Sequence, residues 1–392
     1  MTEGETPAPP VVELTLHPNP HPFVRRGIVA KAPKLPSGIL VTLRTPEGVI
    51  LGDGFWNSFS DIAVRRLTSG DARFDLAALD AALDRATALR ASLPALAAET
   101  DAWRAVHSEG DHLSGLIVDK LGGVAAVELH SAGWIGWLDD LLPRLHRRLG
   151  TTHHRVTLNE RTARLEGVPA IDRSSEGCPA SLRIHEHGVR YRVDLATGHK
   201  TGFFCDQREN RRDFAQWASG DVLDLCCYTG GFSAAVARVG RADSITGVDL
   251  DEEALATARD NLNLNQVRAQ LVHADAFDWL RQVGASGRRF DSIVLDPPKF
   301  IPGRRDELTG RGKYHDLNRL AFSVLKPGGL LLTCSCSGLL SRQEFTELVT
   351  TAARKSGRAA RLLRVTGAAP DHPVLLECPE TEYLKCLWLR AW

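Results

Sequence analysis

The sequence predicts an α/β protein whose C-terminal half is a doubly wound parallel sheet, preceded by a small β-barrel and a central α+β domain. Three observations carry that prediction. From Asp221 onward, short apolar runs of strand type alternate with stretches of helical spacing, the pattern of crossover units on a sheet covered on both faces. From Val11 to about Thr68 the pattern is short, β-branched and broken by turn residues. Between them, helical and strand-like runs mix as far as Leu195. The expected boundaries are 11–72 for the barrel, 73–195 for the central domain and 196–392 for the alternating domain.

The first ten residues, rich in Pro and Glu, read as disordered. GILVTLRT, GVILGDGFW and DIAVRRL then supply strands separated by Pro-Ser-Gly, Pro-Glu-Gly and Asn-Ser. The run from Phe74 to about Val106 has apolar residues at helical spacing, and Pro94 should divide it into two helices. GLIVD and GVAAVELH are strand-like, WIGWLDDLLPRLHRRL is helical, and RVTLN, SLRIHEHG and VRYRVDL return to strands. In the last domain VLDLC, SITGVDL, AQLVHAD, FDSIVLD, GGLLLTC and RLLRV are the strands. FSAAVARV, EEALATARDNLNLN, FDWLRQV, LNRLAFSVL and QEFTELVTTAARK are the intervening helices.

Composition narrows the function classes. The chain has 392 residues, 43% hydrophobic and 24% charged, so it can bury a large core in two or three domains. No apolar stretch reaches the ~18 residues of a membrane helix, and the start MTEGETPAPP lacks a signal peptide's basic and apolar regions. The expectation is a cytoplasmic protein with no membrane partner. Its eight cysteines form no regular framework and should be free thiols. The formal charge is zero, so a nucleic-acid partner would have to be met by a local patch. Arginine pairs at 25/26, 65/66, 147/148, 211/212 and 304/305 are the places to look, although most such pairs are solvated element ends.

Ligands of a doubly wound sheet sit at the carboxyl ends of its strands. Those ends each carry an acid: Asp224 before Cys226-Cys227-Tyr228-Thr229-Gly230-Gly231, Asp249 after Gly247-Val248, Asp275 before Ala276, and Asp296 before Pro297-Pro298-Lys299-Phe300. The glycines let a backbone approach a ligand, but their spacing is not that of a pyrophosphate turn. Asp249 lies 18 residues after Gly231, near the ~20 at which an acid takes a ribose hydroxyl pair. A ribose with a cationic group fits better than NAD, and S-adenosylmethionine is the expected cofactor. One such acid is more often a cap or turn residue than a ligand; four in register reverse that. Likewise Asp-Pro-Pro commonly just ends a strand, yet in such a rim it would hold a carboxylate rigidly toward a nucleobase edge.

TCSCSG puts Cys334 and Cys336 where the strand GGLLL gives way to a loop. Buried strand cysteines are the ordinary fate of intracellular thiols. A zinc site with Cys226 and Cys227 lacks paired CxxC spacing, so no metal is expected. Residues two apart on a strand also sit near the ~6.8 Å limit for a disulfide. Within an acidic methyl-transfer rim the nucleophile reading wins.

At these residues the chain resembles class I methyltransferases, and more closely the bacterial 23S rRNA cytosine-C5 methyltransferases of the large-subunit methyltransferase I family. The resemblance rests on GHKTGFFCDQRENRR (Gly198 to Arg212), DLCCYTGGFS, DPPKF, KPGGLLLTCSCSG, and a tail with DHPV and EYLKC. It implies an N-terminal PUA domain, a central α+β domain and a C-terminal Rossmann-like catalytic domain. It also implies that Phe203 to Arg208 lies against the cofactor, which adds Phe204, Asp206, Gln207 and Arg208 to the binding set of Asp224, Tyr228, Thr229, Gly230, Asp249, Asp275, Ala276 and Asp296. Read alone, that stretch would be a loop with Asp206 as a helix N-cap. The resemblance selects Cys336 as the nucleophile, with 23S rRNA as partner; the sequence leaves the oligomeric state open, a homodimer being one option. The fourth motif carries no cysteine, unlike small-subunit enzymes with Pro-Cys there.

Carbon-5 of cytosine is a poor nucleophile, and thiolate attack at C6 would activate it. Lys299, three residues after Asp296 in the same motif, is the candidate cation to help ionise the thiol, Asp296 could bond N3 and the exocyclic amine, and Cys334 packs or assists. Two other readings stay open: methylation of a nucleobase amine at the Asp296-Pro-Pro corner, and a catalytically silent RNA-binding protein.

Overall fold

The computed structural model describes residues 8–196 and 201–392, which fall into two compact units. Gly198, His199 and Lys200 of the first motif, and most of the N-terminal segment read as disordered, lie outside the described residues.

The first unit runs to Ala180 and takes in Asp371–Thr381 from the tail. Its strands β1 (Val11–Glu13), β2 (Phe23–Arg25), β3 (Leu40–Arg44), β4 (Ile50–Trp56) and β5 (Ile62–Arg66) form one sheet in the order β1-β3-β4-β5-β2. Val12, Val24, Val41, Leu43, Trp56 and Val64 bury against each other within it. Helix α1 (Leu76–Ser92) starts on an Asp75 cap that accepts from the Ala78 amide. The expected second helix is a single turn, α2 (Leu96–Glu99), and the rest of that run is a strand, β6 (Ala102–His107). A four-residue helix has little stability of its own, whereas the open edge of β7 (Leu116–Leu121) offers β6 an antiparallel ladder from Ala102 opposite Leu121. Tertiary pairing overrides the local period there. β8 (Val124–Leu129), α3 (Leu138–Leu149), β9 (His153–Leu158), α4 (Glu160–Glu166) and β10 (Ile171–Ser174) complete a second sheet in the order β10-β9-β8-β7-β6. Leu79 and Leu83 of α1 and Leu141 and Leu145 of α3 pack into its core.

The second unit opens with a hairpin, β11 (Ser181–Glu186) and β12 (Val189–Asp194), which lies within the 73–195 span expected for the central domain. Then come α5 (Arg208–Trp217), β13 (Gly220–Leu225), α6 (Gly231–Val239), β14 (Ala242–Asp249), α7 (Glu252–Leu264) and β15 (Gln270–His273). They are followed by α8 (Ala276–Ala285), β16 (Phe290–Leu295), α9 (Glu307–Val324), β17 (Leu325–Ser335), α10 (Arg342–Lys355), β18 (Ala360–Thr366) and β19 (Lys385–Ala391). The seven strands order as β15-β14-β13-β16-β17-β19-β18. Neighbours from β15 to β17 pair in parallel, but β19 runs antiparallel to both β17 and β18. The wholly parallel expectation is corrected at that strand. β18 reaches β19 without a crossover helix, so β19 returns in the opposite sense. Chain order reverses between β13 and β16, and this switch point opens a crevice at their carboxyl ends. Beneath it the sheet and helices α8 to α10 share one core, including Leu223, Val248, Ile293, Leu331, Trp279, Tyr314 and Phe345. Among the described residues no helix is long and apolar enough to cross a membrane.

Candidate active site

β13 delivers Asp224 to the switch point and ends one residue later. Its carboxylate is buried, and one oxygen accepts from the Ser233 amide at 2.9 Å and the Ser233 hydroxyl at 2.7 Å. The other oxygen is buried with no hydrogen-bond partner among the described residues. Burial, with the charge of Asp249, pushes this carboxyl up to about 6.

The loop that follows is wound tightly. Cys226, Tyr228 and Gly230 have φ of 59°, 48° and 74°, a left-handed conformation that is free for glycine and costs about 1–2 kcal/mol at each of the other two. Side chains from neighbouring elements hold it. Asp249 at the end of β14 accepts from the Tyr228 amide at 2.7 Å, and Asn261 of α7 donates to the Thr229 carbonyl at 2.9 Å. Tyr191 of the β11–β12 hairpin donates to the Gly231 carbonyl at 3.0 Å. Strain of this kind persists where surroundings over-determine the backbone, as they do at binding sites.

The four strand-end acids converge. Burial, then the charges of Asp249, Asp296, Asp224 and Asp275 in that order, raise the Cys226 thiol well above its ordinary range. Asp249 also accepts from the Asp251 amide at 2.9 Å. Asp275 caps α8, accepting from the amides of Phe277 at 2.9 Å and Asp278 at 3.2 Å, so it joins the site through its charge, and Ala276 simply starts the helix. Phe204 meets Tyr228 edge to face, ring centroids 5.2 Å apart. Asp206 is not an N-cap: it lies in a 3-10 turn ahead of α5 and accepts from the Tyr383 hydroxyl at 2.5 Å. Arg208, the buried first residue of α5, faces Glu209 at 3.3 Å.

Asp296 stands just past β16, where its amide bonds the Leu225 carbonyl of β13 at 3.3 Å. Gln207 donates to its carboxylate at 2.9 Å, and the orientation of that amide follows from a chain of bonds. Asn210 donates to the Gln207 oxygen at 2.7 Å, while Thr366 donates to the Asn210 oxygen at 2.6 Å. Burial first, then the Asp206 charge, push the Asp296 carboxyl up to about 7, a value suited to proton transfer near neutrality. Lys299 is exposed beyond the two prolines.

The two thiols have different surroundings. Cys334 is fully buried in β17 opposite Cys386 of β19, and burial together with that neighbour holds its thiol well above the usual range. Cys336 is half-buried in the loop just beyond the strand. Ser337, the next residue, is anchored on three sides: its hydroxyl lies 2.9 Å from the Tyr314 hydroxyl and accepts from the Ile301 amide at 3.2 Å, and its carbonyl accepts from Lys385 at 2.6 Å.

Among the described residues, His21, Cys378 and Glu380 in the first unit have the spacing of a metal cluster. His21 Nδ1 accepts from the Phe23 amide at 3.0 Å, which puts the ring proton on Nε2, facing Glu380 at 3.2 Å. A metal-bound histidine has the opposite arrangement, donating from the ring nitrogen that does not bind the metal. The trio reads as a hydrogen-bonded contact.

A basket of acids in which the second Asp224 oxygen is buried without a hydrogen-bond partner among the described residues suits a cationic ligand. The chain matches the S-adenosylmethionine-dependent methyltransferase family over residues 154–373. It is 38% identical over 384 residues to "Ribosomal RNA large subunit methyltransferase I" of Shewanella amazonensis, covering 95% of this chain and 96% of that protein. The corresponding Enterobacter protein is 34% identical over 377 residues, covering 93% and 94%. The chain belongs to the ribosomal RNA large subunit methyltransferase I family. A solved chain described as a SAM-dependent methyltransferase from Streptococcus mutans shares the fold, with a TM-score of 0.82 at 19% identity over 97% of this chain and 100% of that one. This family's cofactor is S-adenosylmethionine.

Sequence reasoning passed over Lys385, Tyr314 and Asn210. Lys385 and Asn210 stand inside motifs quoted for the resemblance, EYLKC and GHKTGFFCDQRENRR; a lysine heading the apolar run CLWL was a signal for Lys385, and Asn210, among many polar residues, carried none. Tyr314 lies in a polar stretch of α9 and carried none.

Proposed function

We propose that this enzyme methylates carbon-5 of a cytosine in 23S rRNA through a covalent bond between Cys336 and C6. Its curated relatives are named for large-subunit ribosomal RNA, and the reading extends that to this chain. The observation that carries it is the pair of thiols: Cys334 sealed in the sheet, and Cys336 partly open at the same rim as the Asp296-Pro-Pro corner. The cofactor supplies the methyl group as a sulfonium, with Asp249 toward its ribose and Asp224 toward its ammonium. Phe204, Asp206, Gln207, Arg208, Tyr228, Thr229 and Gly230 line the remainder of that site, with Asp275 and Ala276 at its edge.

The protein's own groups then divide the work. The Cys336 thiolate adds to C6. A protonated Asp296 donates to N3 and accepts from the exocyclic amine, drawing electron density from C6 and leaving C5 enamine-like. Once C5 carries the methyl, loss of its proton to a base reforms the C5–C6 double bond and expels the thiolate. The cytosine must leave any stack to reach this corner. The N-terminal strands would act as a PUA-like RNA-binding domain over 11–72, followed by a central domain over 73–195 and the catalytic domain over 196–392.

Fluorine at C5 of the target cytosine blocks that proton loss, so wild-type enzyme and cofactor should trap fluorinated RNA covalently. Cys336→Ala should trap none, and Cys334→Ala should still trap it. The reverse result would exchange the two roles. If neither substitution matters, the thiol mechanism fails and methylation of an amine at Asp296 becomes the better reading.

A further inference from the structure

Lys385 is the first residue of β19 and pairs with Ser335 of β17, one residue before Cys336. The residue is 2% exposed. The ammonium donates to the Ser337 carbonyl at 2.6 Å and the Tyr383 carbonyl at 2.9 Å. An ammonium has three protons, and these neutral acceptors take two of them. Among the described residues no carboxylate lies within ion-pair distance of Lys385, and Glu344 acts on it only from farther off. A buried cation without a close counter-charge is expensive, which favours an anion beside it. The bond to Ser337 sets this cation against the peptide that follows Cys336, and a thiolate is the anion that site can generate.

We propose that Lys385, and not Lys299, is the cation that favours the thiolate form of Cys336. The inference rests on the reading of Cys336 as nucleophile and adds the residue that prepares it. Burial first lowers the Lys385 ammonium to about 8; the charge of Cys336 then acts to raise it, that of Lys299 to lower it, and those of Cys386 and Glu344 to raise it in smaller measure. The ammonium and thiol therefore exchange stabilisation near neutral pH, where a free thiol is only a few per cent ionised. Lys385 acts here as a positioning residue, through the thiol.

The test is the pH dependence of Cys336 alkylation by iodoacetamide, followed by mass spectrometry of the Cys336 peptide, since seven other thiols are present. The wild-type midpoint should lie at least one pH unit below the ~8.5 of a free thiol. A midpoint at or above 8.5 overturns the proposal without any variant. Lys385→Met keeps the apolar stem and should raise the midpoint by a unit or more, slowing adduct formation with fluorinated RNA about tenfold at pH 7 and much less at pH 9. Lys385→Arg should restore most of the shift. If Lys385→Met leaves the midpoint in place, or Lys299→Ala moves it instead, Lys385 is only a clamp on Ser337 and the inference fails. These outcomes are separable from failure of the nucleophile reading, which would show as a covalent adduct surviving Cys336→Ala.

Discussion

Ionising Asp224 inside the sheet works against folding. Its carboxyl sits at about 6 in the folded chain against 3.8 for an ordinary aspartate, so between those values the folded state binds more protons than the unfolded state. Stability attributable to this residue therefore falls as pH rises from about 4 to about 6, and the loss is complete above that window. Asp224→Asn retains an oxygen for Ser233 and removes the ionisation. Relative to wild type, the variant should gain on the order of 2–3 kcal/mol of stability between pH 4 and pH 8, from about 1.36 kcal/mol per pH unit. Its affinity for the cofactor should meanwhile drop about tenfold. Denaturant melts at the two pH values check the first part and calorimetry the second; a stability difference independent of pH would show that the carboxylate is solvated in the folded protein. The positions of Asp224, Asp249 and Asp296 were legible because a strand's end can be read from its apolar run, and the acid stands beside it. Their unequal environments were not, because a burial or an orienting amide such as Gln207 comes from elements distant in sequence.

Helix α9 controls the Asp296 corner by contact. Gly310 packs against the segment after Lys299, and a Cβ there would come within 2.5 Å of both the Phe300 carbonyl oxygen and Ile301 Cγ1. Gly312, in the same helix, has nothing within 4 Å. Alanine at either position gains helix propensity of about 1 kcal/mol, but at 310 overpacking of about 1–3 kcal/mol opposes it and displaces the DPPKF segment. Gly312→Ala should thus melt higher and keep wild-type adduct formation, while Gly310→Ala should melt no higher than wild type and trap fluorinated RNA at least tenfold more slowly. Equal behaviour of the two would mean that the loop yields without consequence for the site. At this scale the alternating strands and helices were readable from period alone. The run after Pro94 and the last strand were not: a short apolar stretch satisfies either period, and the direction of β19 depends on which edge it finds.

Across the whole molecule the arginine pairs are largely occupied. Arg25 bonds Asp61 at 2.9 Å, Arg65 meets Glu109 at 3.2 Å, Arg148 holds Asp84 at 2.7 Å, Arg211 holds Glu186 at 2.7 Å and Arg212 holds Glu209 at 2.6 Å. Arg304 and Arg305, exposed between the DPPKF segment and α9, have no ion pair among the described residues. With a formal charge of zero, the protein should neutralise few phosphates. The log–log salt slope for RNA binding should be shallow, built from about 0.7 per phosphate on a single strand, and Arg304→Ala/Arg305→Ala should lower it further. A filter-binding series from low to moderate salt decides this, and a slope near 10 would reveal a broad basic surface. By itself the sequence determined the alternating α/β domain, the acid at each strand end and the unusual pair of thiols, because these follow from local period and from residues adjacent in the chain. Only the tertiary structure decided which thiol is sealed and which is open, that Gln207 holds Asp296, and that Lys385 reaches the Ser337 carbonyl. Each of those depends on residues 48 to 89 positions apart meeting at one end of a sheet, where burial rather than sequence order sets their charge.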